Sequence, residues 1–391
     1  MSAEQTHVVV LGGGFAGVES AISLREHGFR VTLVSDRRYV WIYPISIWIP
    51  TGEIEPEQVQ LSLAALREAH GFEVVVDPVV RLVPDAQRVE LKSRTLDYDV
   101  LVLATGGSKL RPKGVEHTHT ICGAPEQAVA LRDRLRAVAA QGSGTIAFGF
   151  GGNPRDTSAV RGGPVFEVMF NVHHWLEKQG LRDQFRLVFF APMAQPGKRM
   201  GEKALAAMDG MYARAKIETK VGVKIEGFDP SGVAFADGTR IDADLVVFTP
   251  AGSGHPLLAE SGLPLNDAGY VRIEPSCQVV GQEAIYAIGD VAALEGPEWR
   301  AKQGHMAEVM ARVATSHIAA RADGDSSREA YGDHHSILCV MDTGDGAAYV
   351  MRDAKTERMV PLPVVGHWMK KAWGSYWKAS KLKQIPRLPG M

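Results

Sequence analysis

"VVVLGGGFAGVESA", residues Val8 to Ala21, decides the fold. Four consecutive apolar residues read as a strand buried on both faces, and the residues from Phe15 onward read as a helix. Between them stands Gly12-x-Gly14-x-x-Gly17. Gly12 permits the tight turn, Gly14 lets backbone approach a pyrophosphate, and Gly17 allows the helix to pack close to the strand. Phe15 and Ala16 open the helix, whose N-terminal N–H groups and positive dipole end face the negative charge. In this strand-turn-helix setting the pattern points to a dinucleotide site.

Outward from this loop, the acid that binds ribose is expected about 20 residues on. There the sequence reads VSD, with Ser35 ending a strand and Asp36 and Arg37 following, and the choice between Ser35 and Asp36 is open at this level. Further apolar strands, FEVVVDPVVRLV and YDVLVLATG, complete a first run of alternating strand and helix. A second α/β passage follows from GTIAFGF to ADLVVFTPAG, after which AIYAIGD returns to the first style. The polar segment DGDSSREAYGDHH breaks the pattern and opens a small C-terminal unit. The expected fold class is therefore α/β, with two Rossmann-like domains and a small C-terminal region. The first domain is discontinuous, 1–112 with 266–320, the second covers 113–265, and the remainder is 321–391.

At 391 residues the chain is long enough for two or three packed domains. The seven Lys and Arg residues from Arg358 onward meet no acid, so a formal charge of −2 for the whole chain leaves residues 1–357 at −9. An acidic body with a basic tail suits an anionic surface. Interleaved tryptophans favour lipid over nucleic acid. No apolar run is long enough to span a bilayer, and the N-terminus lacks a basic region before its apolar stretch, so synthesis in the cytoplasm without a signal peptide is expected. Cys122, Cys277 and Cys339 are too few and too scattered for a disulfide framework or a zinc site. The adjacent pairs His173-His174 and His334-His335 point apart on a helix and make no natural metal site.

In the second α/β passage the strand TIAFGF runs into GGNPRDTSAVRGGPVFE. Pro154, Arg155 and a long loop stand where a phosphate-cradling turn needs unobstructed backbone N–H groups. NADH is therefore not the expected electron donor.

Taken together, the order and spacing of these segments resemble flavoproteins with two dinucleotide-binding domains, and within them the sulfide:quinone oxidoreductases and the flavoprotein subunit of flavocytochrome c sulfide dehydrogenase. The resemblance covers nearly the whole chain. It implies FAD as cofactor, with Ala104, Thr105 and Gly106 of LVLATGG and Gly289 and Asp290 of AIYAIGD at the flavin. It implies a reduced sulfur compound as donor and membrane quinone as acceptor, in a monotopic enzyme whose oligomeric state is open. HTICGAPEQA is similar to the segment holding a cysteine near the flavin, which nominates Cys122. RGGPVFE resembles the active-site loop with its glutamate, Glu167, as general base. AKQGHMAE resembles the segment whose lysine lies against the flavin ring, which nominates Lys302 as its charge stabiliser. SILCVMDTGDGAAYV matches the strand of the last redox cysteine, making Cys339 the main thiol nucleophile.

The departure is at the first redox cysteine, where this chain has Arg161. A guanidinium there either lowers the pKa of a neighbouring thiol and attracts anions or forms a salt bridge with Glu167. Cys122 and Cys339 form a working pair, or Cys339 acts beside Arg161, or both are relics in a flavoprotein with another donor.

The tail GHWMKKAWGSYWKASKLKQIPR, Gly366 to Arg387, projects as a helix with Met369, Ala372, Trp373, Tyr376, Trp377 and Ser380 on one side and Lys370, Lys371 and Lys378 on the other and its flanks. We read this as an interfacial helix lying on an anionic lipid surface. Because the cofactor motifs lie upstream, its removal is expected to leave the flavin in place.

Overall fold

The computed structural model describes residues 3–326 and 329–388. Residues 327–328, within the polar segment read as the start of the C-terminal unit, and the last three residues lie outside it.

Val8, Val9, Val10 and Leu11 have no exposed surface, and they form the middle strand of a five-stranded parallel sheet. Its order is Ile285–Ala287, Val100–Leu103, His7–Leu11, Arg30–Ser35, Glu73–Val76. A strand from late in the chain, Ile285–Ala287, thus pairs with Leu101–Leu103 from its first third. The first helix, Phe15–Glu26, and the long helix Gly304–Ala322 pack against each other on this sheet. A second parallel sheet runs Ile217–Val221, Phe185–Ala191, Gly144–Phe150, Leu245–Thr249, with its last three strands apolar and largely buried and its edge strand Ile217–Val221 partly exposed. A short antiparallel pairing of Ser108–Lys109 with Gly252–Ser253 ties the two sheet regions together.

The C-terminal region is a three-stranded antiparallel sheet, Ile337–Asp342, Gly346–Arg352 and Glu357–Pro363, followed by the helix Val365–Lys381. This last helix packs on its own sheet and also on the short helical turn Tyr43–Trp48 of the first sheet region. Among the described residues no helix is long and apolar enough to cross a membrane.

Candidate active site

Three backbone hydrogen bonds place the glycine loop and both later motifs on one edge of the first sheet. Gly12 N donates to Val34 O at 2.8 Å, Ala104 N to Leu11 O at 2.8 Å, and Ile288 N to Leu103 O at 2.9 Å. Gly12, Ala104–Gly106 and Gly289–Asp290 therefore lie side by side at the carboxyl ends of the strands, where open α/β sheets bind ligands. Gly12 has φ +116°, and a side chain there would fall on the Ala104 carbonyl. A Cβ at Gly17 would fall on the Gly12 carbonyl, so Gly17 permits close approach of helix to strand. A Cβ at Gly14 would meet nothing within 4 Å. Its bare backbone faces free space, as a pyrophosphate-approach position requires.

Ser35 is buried against this loop, and its Oγ accepts from Arg37 N at 3.2 Å. Asp36 is exposed and pairs with Arg37 at 3.3 Å. Deeper along the edge, Thr105 Oγ1, Lys109 Nζ, Tyr270 OH and Gln303 Oε1 are buried and have no hydrogen-bond partner. Buried polar groups are rarely left unpaired without a ligand or water to meet them. A cradle with bare backbone at one end and several unpaired donors and acceptors at the other fits a flavin dinucleotide.

Lys302 lies in this same region. It is buried, donates to the Ala292 carbonyl, and sits 3.9 Å from the centroid of the Tyr270 ring. Burial lowers its pKa to about 7, with Asp156 opposing that shift and Arg161 adding to it. Arg161 forms its ion pair with Asp290, not with Glu167 as one reading of the sequence had it. The reason is that Glu167 already has a cation. Lys370 of the last helix donates to Glu167 Oε1, which also accepts Asp342 N at 2.9 Å.

Cys339 is partly buried on its strand, beside this Glu167–Lys370 pair. Burial pushes its thiol up to about 12; Glu167 adds to the rise and Lys370 counters it. Burial raises the pKa of the Glu167 carboxyl too, against the pull of Lys370. Behind the pair, Asp342 accepts from Trp48 Nε1 at 3.2 Å and Asn171 Nδ2 at 3.0 Å. His367 bridges Asp342 at 2.8 Å and Glu53 at 2.7 Å. Cys122 stands elsewhere, near Tyr43 and Lys109, with its N–H donating to Thr120 Oγ1 at 3.1 Å. All three cysteines are free.

At the second glycine-containing junction, no glycine between 151 and 163 takes a positive φ. Polar groups of this stretch already have protein partners: Asn153 donates to Gly252 O at 2.9 Å, and Asp156 accepts both Ser158 N at 2.9 Å and Ser158 Oγ at 2.6 Å. The Phe150 ring lies where a side chain at Gly162 would point. This junction therefore lacks the positive-φ glycine turn that Gly12 makes at the first sheet.

Residues 6–321 match the family described as Pyridine nucleotide-disulphide oxidoreductase. The chain belongs to that family. It is similar to the sulfide-quinone reductase of Aquifex aeolicus, 26% identical over 402 residues, which cover 95% of this chain and 90% of that protein. The X-ray structure of the sulfide:quinone oxidoreductase from the same bacterium superposes with a TM-score of 0.86 at 24% identity, covering 97% of this chain and 92% of that one. A type II NADH:quinone oxidoreductase of Mycobacterium tuberculosis is 25% identical over 319 residues, covering 74% of this chain and 67% of that protein. The protein is a flavoprotein-type oxidoreductase, similar to sulfide:quinone oxidoreductases.

In this oxidoreductase the tail departs from the sequence-based expectation. Of the face assigned to lipid, Trp377, 4% exposed, and Ser380 pack inward and Trp373 and Tyr376 are half-buried, while Met369 and Ala372 remain exposed. Lys370, expected among headgroup phosphates, and Lys381 farther along the helix are buried in ion pairs with acids from distant parts of the chain. Besides Met369, the exposed large apolar residues of the C-terminal region include Leu338, Val360, Val364, Val365 and Trp368, the last 64% exposed. Sequence reasoning also missed Lys370, Asp342, His367 and Glu53 as neighbours of the Cys339 strand. The absence of acids in the tail was the available signal, since buried acids elsewhere need cations.

Proposed function

We propose that this oxidoreductase holds FAD and passes electrons from a reduced sulfur compound to a membrane quinone. The observation that carries the reading is the strand Ile337–Asp342. It presents Cys339 to the buried Glu167–Lys370 pair and turns its neighbour Leu338 outward, 46% exposed. A thiol beside a carboxylate that can take its proton is the arrangement of an activated nucleophile. The exposed apolar side chain beside it offers a lipid-soluble acceptor a route.

In this reading residues 1–112 with 266–320 form the FAD-binding unit, 113–265 a second Rossmann-like unit that does not take NADH, and 321–391 the membrane-facing unit. Gly12, Gly14, Phe15, Ala16 and Gly17 hold the pyrophosphate, Ser35, Asp36 and Arg37 lie toward the ribose, and Ala104, Thr105, Gly106, Gly289 and Asp290 lie along the ribityl and ring end. Bound FAD supplies the two-electron store. Glu167 takes the proton from Cys339 and becomes neutral, and Lys370 balances the charge that passes to the thiolate. Lys302, whose pKa of about 7 lets it be cationic or neutral near physiological pH, sits where it would neutralise charge on the ring. Arg161, paired with Asp290, and Cys122 are both neighbours of Tyr43, and the guanidinium there would attract anionic sulfur species.

The membrane contact is assigned to the patch of Leu338, Val360, Val364, Val365, Trp368 and Met369. Its attraction is apolar more than ionic, because Lys370 and Lys381 are committed to Glu167 and Glu19.

Anaerobic mixing of the purified yellow protein with sulfide, cysteine persulfide, glutathione or NADH tests the reading. Flavin bleaching by a sulfur donor, lost in Cys339→Ser, is expected. Bleaching by NADH with no response to sulfur donors would overturn it in favour of a type II NADH:quinone oxidoreductase.

A further inference from the structure

Glu19 lies on the first helix, two residues past Gly17, and has no exposed surface. A buried carboxylate without partners is strongly unfavourable, and the partners of this one come from far along the chain. Lys381 Nζ is 2.5 Å from Oε2, Arg387 Nη2 is 2.6 and 2.7 Å from the two oxygens, and Arg312 Nη1 is 3.0 Å from Oε1. Lys381 is also 2.8 Å from Glu308, which accepts Trp377 Nε1 at 3.0 Å. The Trp377 ring in turn lies 4.6 Å, centroid to centroid, from Phe15, the residue after Gly14. The tail beyond the helix is fixed as well: Leu388 N donates to Tyr376 OH at 2.6 Å, and the Lys381 carbonyl accepts from His70 Nε2 at 2.6 Å.

We infer that the segment from Trp377 to Arg387 is a latch on the dinucleotide site, its cations neutralising Glu19 and its tryptophan holding Phe15 in the glycine loop. The inference rests on the FAD reading. Glu19 sits about 8 Å along the helix from Gly14, at a rise of about 1.5 Å per residue. Counting Glu19, Glu308, Arg312, Lys381 and Arg387, the cluster carries one net positive charge. Without the two tail cations it carries one net negative charge, next to the place where a pyrophosphate would bind. The tail thereby sets the sign of the potential at the phosphate end of the site. Removing residues 366–391 is therefore expected to release flavin, the reverse of the outcome expected from motif positions alone.

The test measures FAD affinity by reconstituting full-length apoprotein at 10 °C and following flavin fluorescence, for wild type, Lys381→Met, Arg387→Gln, Glu19→Gln and the double variant Glu19→Gln/Lys381→Met. Far-UV circular dichroism and apoprotein melting accompany each measurement. The latch predicts at least tenfold weaker binding for Lys381→Met at low salt, a difference from wild type that shrinks in high salt, and recovery to within about threefold of wild type in the double variant. Should Lys381→Met fail to fold, Arg387→Gln, at the partly exposed end of the cluster, carries the same expectation. Wild-type affinity in a folded Lys381→Met or Arg387→Gln overturns the latch alone. A wild-type protein that takes up no FAD overturns the FAD reading together with it.

Discussion

Lys370 and Glu167 form a buried ion pair across 203 residues of sequence, each side chain 6% exposed, and the pair stands beside the Cys339 thiol. The two partners act on that thiol in opposite directions: Glu167 adds to the rise that burial causes, and Lys370 opposes it. The thiolate fraction changes about tenfold per pKa unit below the pKa. Alkylation of Cys339 by iodoacetamide at pH 8, followed by peptide mass spectrometry, should therefore be several-fold faster in Glu167→Gln and several-fold slower in Lys370→Met. Because Glu167 is also the proposed base, Glu167→Gln should lose donor-driven flavin reduction while its thiol becomes more reactive toward the alkylating agent. Changes in the same direction in both variants would remove the charge argument.

Gly14 and Gly17 separate cofactor binding from folding. A side chain at Gly17 collides with the Gly12 carbonyl, whereas one at Gly14 meets no protein atom within 4 Å. Gly14→Val should leave the apoprotein melting temperature close to wild type and abolish FAD binding. Gly17→Val should lower the melting temperature itself, by more than about 5 °C, since overpacking against fixed backbone typically costs 1–3 kcal/mol or more. Full FAD content in Gly14→Val would move the pyrophosphate elsewhere.

Why one part of the molecule was legible and another was not follows from these residues. A glycine at position 12 or 17 is demanded by backbone geometry, so the residue type itself reports the turn and the close packing. The run of three valines and a leucine beside it admits few readings other than a buried parallel strand. A lysine carries no such imprint. Lys370, Lys381 and His367 read identically whether solvated or buried, and what decides is an acid placed by the fold: Glu167, Glu19 with Glu308, and Asp342 with Glu53. Trp377 and Ser380 share one side of the tail helix in either environment, and periodicity alone could not say whether that side met lipid or the protein's own Phe15 and Glu308. For Arg161, the chain position was right for the site edge, but its partner Asp290 comes from a strand connection 129 residues later.

His367 gives the site region a pH signature. Hydrogen bonds to Asp342 and Glu53 raise its pKa to about 9, against the effect of burial. Its folded value lies above the unfolded one of about 6.5, so its stabilisation is fully present below about pH 6.5 and is lost as pH rises through 9. A shift of this size corresponds to about 3 kcal/mol at most. The stability difference between wild type and His367→Gln in urea should therefore be largest near pH 6 and shrink steadily toward pH 9.5. A difference that stays constant over that range would mean the imidazole is held by packing alone.

The exposed apolar patch separates two membrane geometries. If lipid were met by the face containing Trp373 and Trp377, substitution of Trp373 would release the protein from vesicles and substitution of Trp368 would not. Trp377 is instead fixed between Phe15 and Glu308, while Trp368, Val365 and Val364 stand clear of the core. Aromatic and aliphatic residues at headgroup depth gain from burial at roughly 25 cal/mol per Å² of apolar surface. Removing two large exposed ones should cost on the order of 2 to 4 kcal/mol of binding, or at least a tenfold drop in the vesicle-bound fraction ratio. Val365→Ser/Trp368→Ser should therefore lose co-sedimentation with phosphatidylcholine vesicles and slow quinone reduction, with flavin content unchanged because neither residue touches the glycine loop. Adding anionic lipid should restore little, since the buried ion pairs leave Lys370 and Lys381 unavailable to phosphate. Undiminished co-sedimentation of the double variant would place the membrane contact on another surface.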